Sequence, residues 1–236
     1  MPGAFEGRLA LVTGAGRGIG AAIAQGLARE GAHVVLTART APDLEAVEGR
    51  IHDEGGSATI APLDLTDGDS IARLAAAISE RWDALDMLVL NAAMLGSLGP
   101  VASMDGKEFN KILTLNLLAN QAMIAAFDPM LRKSAQGRLL AVTSSVGVQP
   151  RAYWGAYGAS KAALETLVLS YADEVRNFGS PKVAIVDPGA TATLMRAQAF
   201  PGEDQSTIRQ PADVADAVLN LLHGDFETGH RLEIKA

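Results

Sequence analysis

The chain of 236 residues contains no cysteine. Disulfide bridges, thiolate metal sites and thiol nucleophiles are therefore excluded, and a reducing, cytoplasmic location is the expectation. Aromatic residues make up only 5% of the sequence, so a chain that is 48% hydrophobic must build its core from Ala, Leu, Val and Ile. No apolar run approaches the roughly 18 residues that a membrane-spanning helix requires. The start, "MPGAFEGRLALVTG", lacks a basic segment followed by an apolar stretch of signal length. Positive charge is in deficit: 20 Lys and Arg stand against 27 Asp and Glu, the net charge is −7, and the isoelectric point is near 5.1. With no basic block, neither nucleic acid nor a membrane surface is an expected partner. The four histidines, at 33, 52, 223 and 230, show no ligand spacing, so no metal site is expected.

What is present is alternation. Seven apolar runs of strand length recur: "RLALVT", "HVVLTA", "ATIAPL", "DMLVLN", "GRLLAVT", "KVAIVD" and "RLEIK". Six helix-length stretches lie between them. Residues 19–31 carry apolar side chains at helical spacing and end at Gly31, a good helix stop. Residues 69–82, 105–133 and 156–179 show the same pattern, and 211–223 starts with a proline suited to a first turn. Strands alternating with helices predict an α/β fold of the Rossmann type: a doubly wound, parallel, seven-stranded sheet with helices on both faces. No linker, repeat or low-complexity tract interrupts the chain, so residues 1–236 are expected to form one domain.

The first strand runs into "TGAGRGIG", with glycines at 14, 16, 18 and 20, and the first helix follows. Strand, glycine loop and helix in that order suit a dinucleotide, because glycine lets the backbone approach a pyrophosphate and the helix N-terminus offers N–H groups. A plain tight turn would also use glycine, and the context is what favours the nucleotide. The second strand ends in Ala38 and Arg39, where a carboxylate would hold the ribose hydroxyl of NAD. Arg39, with Arg17 from the glycine loop, suits a 2′-phosphate instead, so NADP(H) is favoured over NAD(H).

These segments resemble the short-chain dehydrogenase/reductase family. "TGAGRGIG" is similar to its glycine loop, which implies cofactor contacts from Gly14, Gly16, Arg17, Gly18, Ile19 and Gly20. "LDL" resembles the segment whose Asp64, with Leu65, meets the adenine. "LNAA" is similar to the family's NNAG segment, with Leu90 and Ala93 as departures, and implies contacts from Asn91, Ala92 and Ala93. "DPGATAT" resembles the turn over the cofactor, implying Pro188, Gly189, Ala190 and Thr193, the last against the nicotinamide amide. "NAAMLG" and "GATATLMRAQAFPGED" further resemble a bacterial branch, the YciK-type oxidoreductases. The resemblance spans nearly the whole chain, from Leu9 to about Ile234.

It also implies a catalytic set. "TSSVG" and "YGASK" place Ser144 thirteen residues before Tyr157 and three before Gly147, the family's register, with Ser145 as the alternative. Carbonyl reduction leaves charge on oxygen, and a proton donor must meet it. Free tyrosine titrates near about 10, too high for efficient exchange at neutral pH. Lys161 shares a helix face with Tyr157, and its cation is expected to lower the phenol. By resemblance, Lys161 also grips the nicotinamide ribose, Ser144 steadies the substrate oxygen, and Asn116 holds a water that relays protons to Lys161.

The expected activity is NADP(H)-dependent interconversion of a carbonyl and an alcohol. At the strand ends, Met94, Leu95, Val148, Tyr153, Trp154, Leu194, Met195 and Phe200 predict a small, mainly uncharged substrate. Arg151 and Arg196 qualify this, since either suits a carboxylate. Residues 194–210 look too irregular for a clear helix and suit a lid. The family resemblance implies a homodimer or homotetramer. Two other readings share the fold: a catalytically silent NADP-binding regulator, disfavoured by the intact Tyr157 and Lys161, and an epimerase or dehydratase, for which the chain leaves little room.

Overall fold

In a computed structural model, which describes residues 3–234, all seven predicted strands form and lie in one parallel sheet. They are β1 (Leu9–Thr13), β2 (His33–Ala38), β3 (Ser57–Pro62), β4 (Met87–Leu90), β5 (Arg138–Val142), β6 (Lys182–Asp187) and β7 (His230–Glu233), in the spatial order β3-β2-β1-β4-β5-β6-β7. Burial on both faces explains why β1 is apolar from Leu9 to Val12. Ala10 and Val12 pack on one face with α1 (Gly18–Arg29), α2 (Ala41–Asp53) and α8 (Pro211–His223). Leu9 and Leu11 pack on the other with α3 (Gly68–Ser79), α5 (Ala119–Lys133) and α6 (Gly155–Val175). Strand order reverses between β1 and β4, and the carboxyl ends of the strands open a crevice at such a reversal. The glycine loop, residues 91–93, Ser144 and residues 188–193 all follow strands at that rim.

Among the described residues, eight α-helices form where the sequence predicts six helices. The long stretch 105–133 is not one helix. It divides into α4 (Gly106–Leu113), a widened π turn (Thr114–Leu118) and α5. Residues 194–210 are also more ordered than expected, because α7 (Leu194–Ala199) forms there, its first turn capped by the Thr193 hydroxyl accepting from Arg196 N–H at 3.1 Å. Among the described residues, no helix is long and apolar enough to cross a membrane.

Candidate active site

The glycine loop is built by close approach. Gly14 has φ +65°, the left-handed region, and Gly20 packs so tightly that a Cβ there would lie 2.4 Å from the Gly14 carbonyl oxygen. Asn91 locks the loop from below: its Nδ2 donates to the carbonyls of Thr13 at 2.9 Å and Gly14 at 3.2 Å. Its side chain is thus committed to the protein, and the main chain of Asn91, Ala92 and Ala93 edges the crevice. Gly16 and Arg17 lead into α1, which Gly18, Ile19 and Gly20 open. Arg17 and Arg39 are both exposed and neither is in a salt bridge with the described residues. Asp64 is exposed, and its carboxyl is held below the ordinary range by the Thr66 N–H and hydroxyl, then by the Arg39 charge. Leu65 beside it is buried. Leu90, the departure from the family pattern, is a core residue. From β6, Pro188 is buried, Gly189 and Ala190 are exposed, and Thr193 comes across to Gly18, whose Cβ would sit 3.4 Å from the threonine methyl.

The first turns of α6 gather the predicted catalytic groups. Tyr157 is 7% exposed and Lys161 only 2%. Lys161 Nζ donates to the Val142 carbonyl at 2.8 Å and lies 5.7 Å from the Tyr157 ring centroid. Ser144 sits between Val142, which holds Lys161, and Val146, which packs against Tyr157. Its side chain is half-buried and, among the described residues, has no hydrogen-bond partner. Ser145 is exposed, and the Thr143 hydroxyl is turned away onto Glu165 at 2.6 Å. Asn116 is fully buried in the π turn: its Oδ1 accepts from Met94 N–H at 2.8 Å, and its Nδ2 donates to the Met94 carbonyl at 2.9 Å and to Ser160 Oγ at 3.0 Å.

One electrostatic expectation is corrected. Burial pushes the Tyr157 phenol above its ordinary value, and the Asp187 carboxylate adds to the rise. Lys161 does not counter this, because its ammonium is turned onto Val142 and is itself pushed down by burial to about 8, a fall that Glu165 partly offsets. At the rim, Trp154 stands edge-on to Tyr157, with 6.1 Å between ring centroids, and faces Phe200 at 5.7 Å. Leu95, Val146 and Tyr157 form a small apolar cluster that Trp154 and Met195 cover. Val148, Tyr153 and Leu194 face solvent. The fork of Arg196 is already taken, since Glu203 accepts from its Nε and Nη2 along one edge of the guanidinium.

A family model for the short chain dehydrogenases matches residues 8–204. The chain belongs to this family. It is 37% identical to the Escherichia coli oxidoreductase YciK over 221 residues, covering 92% of this chain and 87% of that one. Its fold superposes with a TM-score of 0.93 on a short chain dehydrogenase from Shigella flexneri complexed with NADP, at 35% identity and 99% coverage of both chains. A metagenomic short-chain oxidoreductase in complex with NADP superposes with a TM-score of 0.83, at 34% identity and 98% and 99% coverage of the two chains.

In this short-chain dehydrogenase, several site-building residues escape a motif reading. Thr13 is the pin of the crevice: its Oγ1 accepts from the N–H groups of Asn91 at 2.9 Å and Ala92 at 3.0 Å. A buried hydroxyl residue ending an apolar strand was the available signal. Ser160 receives Asn116 and donates to the Tyr157 carbonyl at 2.7 Å. Glu165, one turn beyond Lys161, is clasped by Thr143 and by Arg231 of β7 at 2.7 Å. That last contact joins residues 66 apart in the chain, and no local pattern announces it.

Proposed function

We propose that this dehydrogenase interconverts a carbonyl and an alcohol on a small, mainly apolar substrate, with NADP(H) as cofactor and Tyr157 as general acid and base. The observation that carries the reading is the buried pair of Tyr157 and Lys161 at the sheet rim, beside a glycine loop too closely packed for side chains. Gly14, Gly20 and the start of α1 fit a pyrophosphate, and the exposed cations of Arg17 and Arg39 fit a 2′-phosphate. The NADP-bound relatives support the same choice. Asp64 and Leu65 then face the adenine, and residues 188–193 the nicotinamide end.

The nucleotide, when bound, supplies the hydride that the substrate carbon receives. Tyr157 gives its phenolic proton to the substrate oxygen, and the Ser144 hydroxyl donates a hydrogen bond to that oxygen as charge develops. Lys161 returns a proton toward the phenolate and holds ribose hydroxyls. Both side-chain donors of Asn116 are committed, to Met94 and Ser160, so its part in a water relay belongs to the widened turn it holds open. The apolar wall of Trp154 and its neighbours excludes water around the phenol. Consumption of NADPH with a ketone by the wild type, lost in Tyr157→Phe, tests the reading. A homodimer or homotetramer is part of this proposal, supported by exposed leucines, Leu118 at 57% in the π turn before α5 and Leu169 at 40% on α6.

A further inference from the structure

We propose that the substrate carries a carboxylate beyond an apolar, ring-sized body, and that Arg151 is the residue that recognises it. The inference rests on the carbonyl–alcohol reading above and names the substrate class for the same site.

Two arginines meet the aromatic wall beside Tyr157. Arg196 stacks on Phe200, 3.8 Å from the guanidinium carbon to the ring centroid. Arg151 approaches the same wall, 5.9 Å from the Trp154 ring and 5.8 Å from the Phe200 ring. A guanidinium that rests on aromatic faces keeps its in-plane N–H edge free for a forked carboxylate. In Arg196 that edge is filled: Nε and Nη2 each donate to one oxygen of Glu203 at 2.5 Å. Arg151 meets the rings at longer range and has no such acid. Among the described residues it has no salt bridge and no side-chain hydrogen bond, in a chain with seven more acidic than basic residues.

The presentation of Arg151 is built into the loop. Tyr153 has φ +71°, a left-handed conformation that costs a non-glycine residue strain. The turn is held nonetheless: the Tyr153 carbonyl accepts from Gly99 N–H at 3.0 Å, and Trp154 N–H donates to the Arg151 carbonyl at 3.2 Å. Trp154 is thereby fixed against Tyr157 with Arg151 one ring further out. A substrate whose carbonyl oxygen meets Tyr157 runs along Trp154 and Phe200 and ends at Arg151. One guanidinium fork matches a monoanionic, planar carboxylate, the group that already fills the fork of Arg196.

The test uses the NADPH-loaded protein in a Trp82→Phe background, so that Trp154 is the remaining tryptophan and its fluorescence reports binding. Phenylacetate, phenylacetamide and phenyl phosphate are titrated into protein with Arg151, Arg151→Gln and Arg151→Lys. The expected result is at least ten-fold tighter binding of the acid than of the amide, a ratio near one in Arg151→Gln, and partial recovery in Arg151→Lys. Equal affinity for acid and amide, an unchanged ratio in Arg151→Gln, or a preference for the phosphate overturns the inference. An aryl keto acid and its methyl ester, assayed for NADPH consumption, separate the two claims. Reduction of both at an acid-to-ester ratio that Arg151→Gln does not move overturns the role of Arg151 alone. Reduction of neither, with acid-selective binding intact, overturns the oxidoreductase reading and leaves Arg151 as a carboxylate reader.

Discussion

Lys161 is a cation kept where a cation is costly. Its buried ammonium titrates near about 8, below the ordinary lysine value, because desolvation outweighs the nearby Glu165. The sign of the linkage follows. In the pH window from about 8 up to the ordinary lysine value the unfolded chain binds the proton more readily than the folded one, so stability rises with pH there. Below that window the cost of the buried charge is fully present, on the order of 3 kcal/mol. Lys161→Met is therefore expected to raise the unfolding free energy at neutral pH, measured in urea, while abolishing turnover. The same titration predicts that kcat/KM for carbonyl reduction falls above about pH 8, as the ammonium is lost. Tyr157 is the complementary case: burial and Asp187 raise its phenol, so it stays protonated at neutral pH. Tyr157→Phe is expected to lower kcat by ~100-fold or more with NADPH affinity nearly unchanged, read by single-turnover kinetics and a binding titration. At Arg17 and Arg39, replacement by alanine is expected to raise KM for NADPH and leave KM for NADH little changed. Equal effects on both cofactors would contradict the 2′-phosphate assignment.

At the scale of elements, the interruption between α4 and α5 positions the site. Asn116 fills the widened turn with hydrogen bonds to both main-chain groups of Met94, and so ties that turn to the loop after β4. Asn116→Ala leaves the partly buried N–H and C=O of Met94 without this partner and is expected to cost about 2 kcal/mol in urea unfolding. An unchanged midpoint would show that the turn does not depend on that side chain. The turn was not legible in the sequence, because residues 105–133 keep a continuous helical pattern and the widening answers to contacts with Met94 and Ser160. The same is true of Lys161: four-residue spacing put it on the Tyr157 face, yet the carbonyl of Val142, nineteen residues away, decides where the ammonium points. Helix α7 was missed because it is short and held by a threonine cap, with Arg196 and Glu203 bridging its end. The strands and the glycine loop were legible because their causes are local: two-sided burial demands unbroken apolar runs, and the close approach of Gly20 to Gly14 tolerates no side chain.

For the whole molecule, the parallel sheet collects loops from β1, β4, β5 and β6 at one rim, and helices cover both faces. The site is therefore assembled from segments far apart in sequence on a rigid frame, and family membership follows from that frame together with the order of the motifs. The exposed leucines of α5's approach and α6 give the prediction at this scale. Light scattering is expected to show a dimer or tetramer for the wild type and smaller species for Leu118→Lys with Leu169→Lys.

The central claim is tested most directly by following NADPH, then NADH, against a panel of ketones, aldehydes and keto acids, with wild type and Tyr157→Phe side by side. The account predicts that the wild type oxidises NADPH in preference to NADH on at least one carbonyl compound, and that Tyr157→Phe binds NADPH but consumes none. Wild-type turnover in Tyr157→Phe, or a wild type that binds NADPH and reduces no member of the panel, would contradict it.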